Sequence, residues 1–291
     1  MNKSKFILQP LAWSMTLLMT ALVAGCGGGG GGAAAGGGGS AAASPASSGP
    51  VGTVCTGAGC VNLGTAGNYV ILAQTGVSTI PNSVVTGNIG LSPKARIGLT
   101  GWSLIAEPTD TAYTSAQVSG RLYAADMVGG TTSSDLTTAV GDMQTAYTAA
   151  NGLAPAGGGD PAAGGVACPG TGALGGQTLT PGVYTCTTAI SIAAGTNVTL
   201  NGAGVYVIRT TQGITQATST QVILTGGALA KNVFWVPALT VGIGGTAGAT
   251  TIMQGVILAK TNITIGTNAT VNGRLLAQTA VTLDQSTVTT P

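Results

Sequence analysis

Histidine is absent from this 291-residue chain, and charged side chains make up only 5 % of it. Without imidazole there is no ordinary base for neutral pH and no His-assisted serine or cysteine nucleophile. The acidic residues are Glu107, Asp110, Asp126, Asp135, Asp142, Asp160 and Asp284, and only Asp284 lies beyond residue 178. Paired carboxylates for polysaccharide cleavage, alone or with calcium, therefore cannot assemble in the C-terminal half. Aromatics, at 4 %, are too sparse for a sugar-stacking platform. No Gly-rich run leads into Gly-Lys-Ser/Thr, which removes phosphate loops. The formal charge of +2 is carried by Lys3 and Lys5; the remaining seven basic and seven acidic groups cancel. That balance gives no case for nucleic acid or for a charged lipid surface. The reading is a non-enzymatic protein without cofactor or metal.

What is abundant is Gly, Ala and Thr, with an apolar fraction of 44 % in which apolar residues alternate with Thr. That pattern reads as repetitive β structure rather than disorder.

Lys3 and Lys5 precede the apolar run FILQPLAWSMTLLMTALVAG, which ends at Cys26. A basic start, a short apolar stretch and small residues before a cut describe an export signal over residues 1–25. Val23-Ala24-Gly25-Cys26 resembles the lipobox of bacterial lipoproteins, with Val in place of the usual Leu. The resemblance implies a diacylglyceryl group on Cys26 and attachment to a membrane, with Gly27 favouring the outer membrane. An ordinary secretory signal and a single transmembrane anchor are the alternatives. Residues 26–53 are a Gly/Ala/Ser tract that cannot bury a core and reads as a tether. The folded domain is expected from Val54 to the end. An exported compartment permits disulfides, so Cys55 is expected to pair with Cys60, and Cys168 with Cys186. A metal site is the weaker alternative, because the spacing fits no common zinc pattern.

Three segments can be laid in register: KNVFWVPALTV from 231, GVILAKTNITI from 255 and GRLLAQTAVTL from 273. This alignment matches Val233, Ile257 and Leu275, then Leu239, Ile263 and Val281, then Val241, Ile265 and Leu283. A third short strand lies between successive units, as in ATTIMQ, NATVN and STVTT. A rung of about 18 residues split into three strands is the signature of a three-sided β-solenoid. AISIA, NVTLN, VYVIR, GITQA and QVILT, between residues 189 and 225, fit the same scheme.

One face of the rungs is apolar at inward and outward positions alike (VYVI, VFWV, VILA, LLA) and has to be covered. The cover is a helix over residues 135–151, where Leu136, Ala139, Val140, Met143, Tyr147 and Ala150 recur at helical spacing. Thr132 with Asp135 supplies a capping pair, and Asn151-Gly152 a stop. Such a helix spans roughly 25 Å, the height of five rungs stacked at about 4.8 Å.

A second face alternates strictly. Its outward positions are Ala238 and Thr240, Asn262 and Thr264, Ala280 and Thr282, and further back Gly213 and Thr215, Ala189 and Ser191. None carries charge and none exceeds Asn in size. Solvated sheet faces normally display Lys, Glu or Arg. Small outward residues could pack a neighbouring subunit or serve a structural or adhesive surface protein binding a protein or glycan. The third reading is ice. Methyls and hydroxyls repeat at about 4.8 Å between rungs and about 6.7 Å along a strand, and can hold ordered water that merges with an ice surface.

LGTAGNYVILAQTGVSTIPNSVVTGNIGLSP (63–93), SSDLTTAVGDMQTAYTAANG (133–152), LGGQTLTPGVY (174–184), KNVFWV (231–236) and NGRLLAQTAVTLDQSTVT (272–289) resemble the ice-binding-like antifreeze family of bacteria, fungi and diatoms. The likeness runs from about residue 61 to the end. It implies a discontinuous right-handed β-solenoid, with one helix along a side and the N-terminal coil stacked on the C-terminal coil. It implies ice contact through one flat face. The protein is expected to be a monomer. Carried onto ILAQTGVST and LLAQTAVTL, the likeness sets Thr75, Gly76 and Ser78 beside Thr279, Ala280 and Thr282. Gly, Ala, Asn and Ser interrupt any regular Thr-X-Thr column, and GIGGTAGA enlarges the rung that starts near residue 238.

Overall fold

The computed structural model describes residues 60–80, 82–154 and 166–291. The leader, the tether, Cys26, Cys55 and the expected start at Val54 lie outside the described residues. The fold is mostly β with a single α-helix among the described residues, and its strands stack in parallel.

The pairings sort the strands into three columns. The helix-side column stacks Gly182–Cys186, Tyr206–Thr210, Val233–Pro237, the ends of Thr251–Ala259 and Ala269–Ala277, then Tyr69–Ala73, Asn88–Leu91 and the end of Val118–Ala124. A second column stacks Ile190–Ile192, Ile214–Gln216, Val241–Ile243, Ile263–Ile265, Ala280–Asp284, Gly76–Ile80 and Leu99–Thr100. The third runs from Thr178–Leu179 through Val198–Asn201, Val222–Thr225, the starts of Thr251–Ala259 and Ala269–Ala277, Thr287–Thr289 and Val84–Thr86 to Val118. Thr251–Ala259 and Ala269–Ala277 belong to two columns because each turns a corner within one strand. Gly255 and Gly273 sit at that corner, where a Cβ on Gly273 would collide with the Gly255 carbonyl.

The discontinuity expected from ILAQT and LLAQT is present. Ile71 pairs with Leu275, Leu72 with Leu276 and Ala73 with Ala277. Val84–Thr86 likewise pairs with Thr287–Thr289. The first coil of the chain is therefore the next-door neighbour of the last.

One alignment is corrected. Trp235, not Val233, pairs with Ile257, and Val241, not Leu239, pairs with Ile263. Leu239 lies in a turn and is 46 % exposed. The slip is by two residues, which preserves in/out parity, so alternation of apolar side chains cannot detect it. In a strand buried on both faces, such as Val233–Pro237, hydropathy gives no register at all.

The helix α1 covers Thr132–Gly152, three residues longer at its start than the apolar spacing indicates. Its 21 residues span about 31 Å at 1.5 Å each. Leu136, Ala139, Met143, Ala146 and Ala150 are buried, with Val140 and Tyr147 packed at the margin. It touches the helix-side column from Val118–Ala124 at one end to Tyr206–Thr210 at the other. The expected capping pair does not form: no side chain caps the first turn, the Thr131 hydroxyl donating to the Asp135 carboxylate at 2.8 Å and the Thr132 hydroxyl to the Thr111 carbonyl. At the other end, Arg209 Nη1 donates to the carbonyls of Ala150, Asn151 and Leu153 at 3.2, 2.6 and 2.9 Å. A cation there complements the negative end of the helix dipole. Mid-helix, Asp142 accepts from the Thr65 backbone N–H and hydroxyl, both at 2.7 Å, and ties down the segment that leads into Tyr69–Ala73.

Cys168 and Cys186 form a disulfide, as the export reading expects. Cys60 is disulfide-bonded as well.

Candidate functional site

The second column forms the alternating face. Inward, Ile190, Ile192, Ile214, Val241, Ile243, Ile263, Ile265, Val281, Leu283 and Val77 are all buried. They fix the strands from beneath. Trp102 adds a tie at one end, donating its indole N–H to the Val77 carbonyl at 2.9 Å. Gln216 adds another within the core, donating to the carbonyls of Thr220 and Ile252 at 3.0 and 3.1 Å.

Outward, register places Ser191, Thr215, Gly242, Thr264, Thr282, Ser78 and Thr100 in one central column. Beside it run Ala189, Gly213, Thr240, Asn262, Ala280 and Gly76. Adjacent side chains in the central column are about 4.8 Å apart and those along a strand about 6.7 Å. The Ser78 hydroxyl donates to the Thr282 hydroxyl at 3.2 Å, across the junction of the first and last coils. Gly76 pairs with Ala280, as expected.

Two of the expected positions move. Thr240 stands level with Asn262 rather than Thr264, and Ala238 belongs to the turn that donates its N–H to the Thr210 carbonyl. Gly242 takes the central position that Thr240 was expected to fill. Thr75 and Thr279 are also turn residues: the N–H groups of Gln74 and Thr75 both donate to the Thr279 carbonyl, at 2.9 and 2.8 Å. Thr100 escapes the repeat pattern because Leu99–Thr100 is only two residues long. The signal that could have found it is its register with Ser78.

Asp284 ends one strand of this face, and its carboxylate accepts the Thr267 hydroxyl at 2.7 Å. Charges gather at one end of the stack instead. There Arg96 bridges Asp110 at 3.0 Å and Asp126 at 2.8 Å, and Arg121 pairs with Glu107. A short antiparallel hairpin, Ile105–Ala106 with Tyr113–Ser115, lies in the same region and continues into Val118–Ala124. Charge and hairpin together blunt an edge that could otherwise recruit another strand. Among the described residues, no group of three or more His, Cys, Asp or Glu could hold a metal ion.

Comparison with known proteins agrees with this geometry. The family model described as ice-binding-like matches residues 71–289. An ice-binding protein of Flammulina populicola is 41 % identical over 239 residues, covering 82 % of this chain and 92 % of that protein. Ice-binding protein K3-B1 of Typhula ishikariensis is 46 % identical over 208 residues, covering 72 % and 80 %. Among solved structures, the antifreeze ice-binding protein LeIBP from an Arctic yeast superposes with a TM-score of 0.72 at 35 % identity, covering 81 % of this chain and 96 % of that one. Ice-binding protein_1 of Shewanella frigidimarina superposes with a TM-score of 0.66 at 26 % identity, covering 78 % and 95 %. The solved chains of LeIBP and of the Shewanella domain thus hold little beyond the matched fold. The chain belongs to the ice-binding-like family.

Proposed function

We propose that this protein adsorbs to ice through the flat column, lowering the local freezing point and inhibiting recrystallisation. One observation carries the reading: the outward columns, one of Ser and Thr with Gly242 and one of Ala, Gly, Asn and Thr, are uncharged and fixed from beneath by a buried aliphatic layer. A surface that is already ordered loses little freedom on binding. Hydroxyls anchor the nearest waters, while methyls leave them to order among themselves. Family membership and the names of its relatives support the same reading.

The winding is three-sided and right-handed, the hand that parallel crossovers favour. The protein works as a monomer and not as an enzyme; Asp110, Asp126, Glu107, Asp135, Asp142 and Asp284 all hold structural partners. It is exported, and lipid on Cys26 would hold it at the outer membrane or cell surface and attach the cell to ice.

The test is ice-affinity partitioning and crystal growth with residues 54–291. Entry into ice and faceted crystals are expected. Exclusion from ice, with disc-shaped growth, would sink the proposal and leave a structural or adhesive surface role. Ala280→Tyr or Thr282→Tyr should abolish faceting in a protein that remains folded.

A further inference from the structure

The central column is broken at one position. Thr264, Thr282, Ser78 and Thr100 follow one another without interruption, then Gly242 intervenes before Thr215 and Ser191. An added Cβ at Gly242 would meet no atom within 4 Å, and its φ is not positive. Neither packing nor backbone geometry therefore demands glycine there. The same rung is irregular in a second way. Between Val241–Ile243 and Thr251–Ala259 lie residues 244–250, where the next rung needs only 266–268 to connect Ile263–Ile265 to Ala269–Ala277.

We propose that Gly242 sets the strength of ice binding by dividing the flat face, and that the working contact is centred on the coil junction at Ser78 and Thr282. This rests on the reading of the flat column as the ice-contacting face. Across the gap, Thr215 and Thr264 stand two rungs apart, about 9.6 Å. Water over Gly242 finds neither hydroxyl nor methyl in the central column, so the bound layer passes between the two segments only beside it, over Thr240. At the junction, the hydroxyl-to-hydroxyl bond fixes both side chains before ice arrives. A few well-placed groups then carry most of the contact energy, as at other interfaces.

The experiment compares residues 54–291 with three variants: Gly242→Thr, Thr215→Tyr and Thr282→Tyr. Thermal hysteresis and the concentration that halts recrystallisation are measured, with melting temperature as the check on folding. Gly242→Thr should at least double the hysteresis without lowering the melting temperature, because Thr suits a strand better than Gly. Thr215→Tyr should lose clearly less activity than Thr282→Tyr, which should lose nearly all of it. Gly242→Ser serves as a smaller probe should the threonine variant misfold, and it too should gain activity. A folded Gly242 variant with unchanged hysteresis overturns the proposal, as does Thr215→Tyr if it is as damaging as Thr282→Tyr. If the parent shapes ice and neither tyrosine affects it, the assignment of the face itself has failed.

Discussion

Ser78 and Thr282 are 204 positions apart in sequence, yet the hydroxyl of one donates to the hydroxyl of the other at 3.2 Å. Because they occupy neighbouring rungs of one column, Ser78→Tyr and Thr282→Tyr would block the same patch of ice. Each is expected to remove most of the thermal hysteresis, and the double variant to be scarcely worse than either single one. Additive losses would place the two residues in separate contacts.

Arg209 binds three carbonyls at the end of α1 and also donates from Nε to the Thr185 hydroxyl at 2.9 Å. Burial pulls its pKa down, and the guanidinium, which stays charged, is bonded to these acceptors. Arg209→Ala should cost about 1–3 kcal/mol, read from urea unfolding, by leaving the helix end unsatisfied. Ice shaping at low temperature should persist, because α1 covers a different column.

The pH dependence separates stability from activity. Bonding to the Arg96 guanidinium holds the Asp110 carboxyl below the usual carboxylate range. Burial pushes Asp126 up, but the Arg96 backbone N–H and guanidinium outweigh it and the net shift is also downward. A depressed folded-state pKa contributes stability above the unfolded value of about 4 and loses it as pH falls through the lower folded value. Urea midpoints should therefore hold steady from neutral to mildly acidic pH and drop below about pH 4. Hysteresis should stay flat from about pH 5 to 9, since the central column contains no titratable group. A midpoint near pH 6 would contradict both statements.

The Cys168–Cys186 bridge spans 18 residues. Replacing both cysteines with serine should lower stability by about 3 kcal/mol, the chain-entropy value for a loop of this size. The bridge joins strands at the end of the stack remote from Ser78, so crystal faceting should survive in the folded variant.

Much of this architecture was legible before any coordinates. The paired strings at residues 71 and 275 announced the discontinuity, and apolar residues on both sides of VFWV announced a cover. Helical spacing from Leu136 to Ala150 identified that cover. The register of Val241 was not legible, because a two-residue slip leaves every apolar side chain facing the same way. Its consequence was local: Thr240 took the place of Gly242, and Ala238 was put on a face that it only approaches. Thr100 was invisible for another reason, since its strand is too short to alternate.

The pairing of the first coil with the last also governs when the molecule can close. A ribosome or a translocation channel delivers residues in order, and Tyr69–Ala73 meets Ala269–Ala277 only after the roughly 200 residues between them have been delivered. Until then one edge of the first coil stays open. Contacts this distant make folding slow. The fold cannot lock shut before these strands emerge; Ala269–Ala277, Ala280–Asp284 and Thr287–Thr289 act as the bolt.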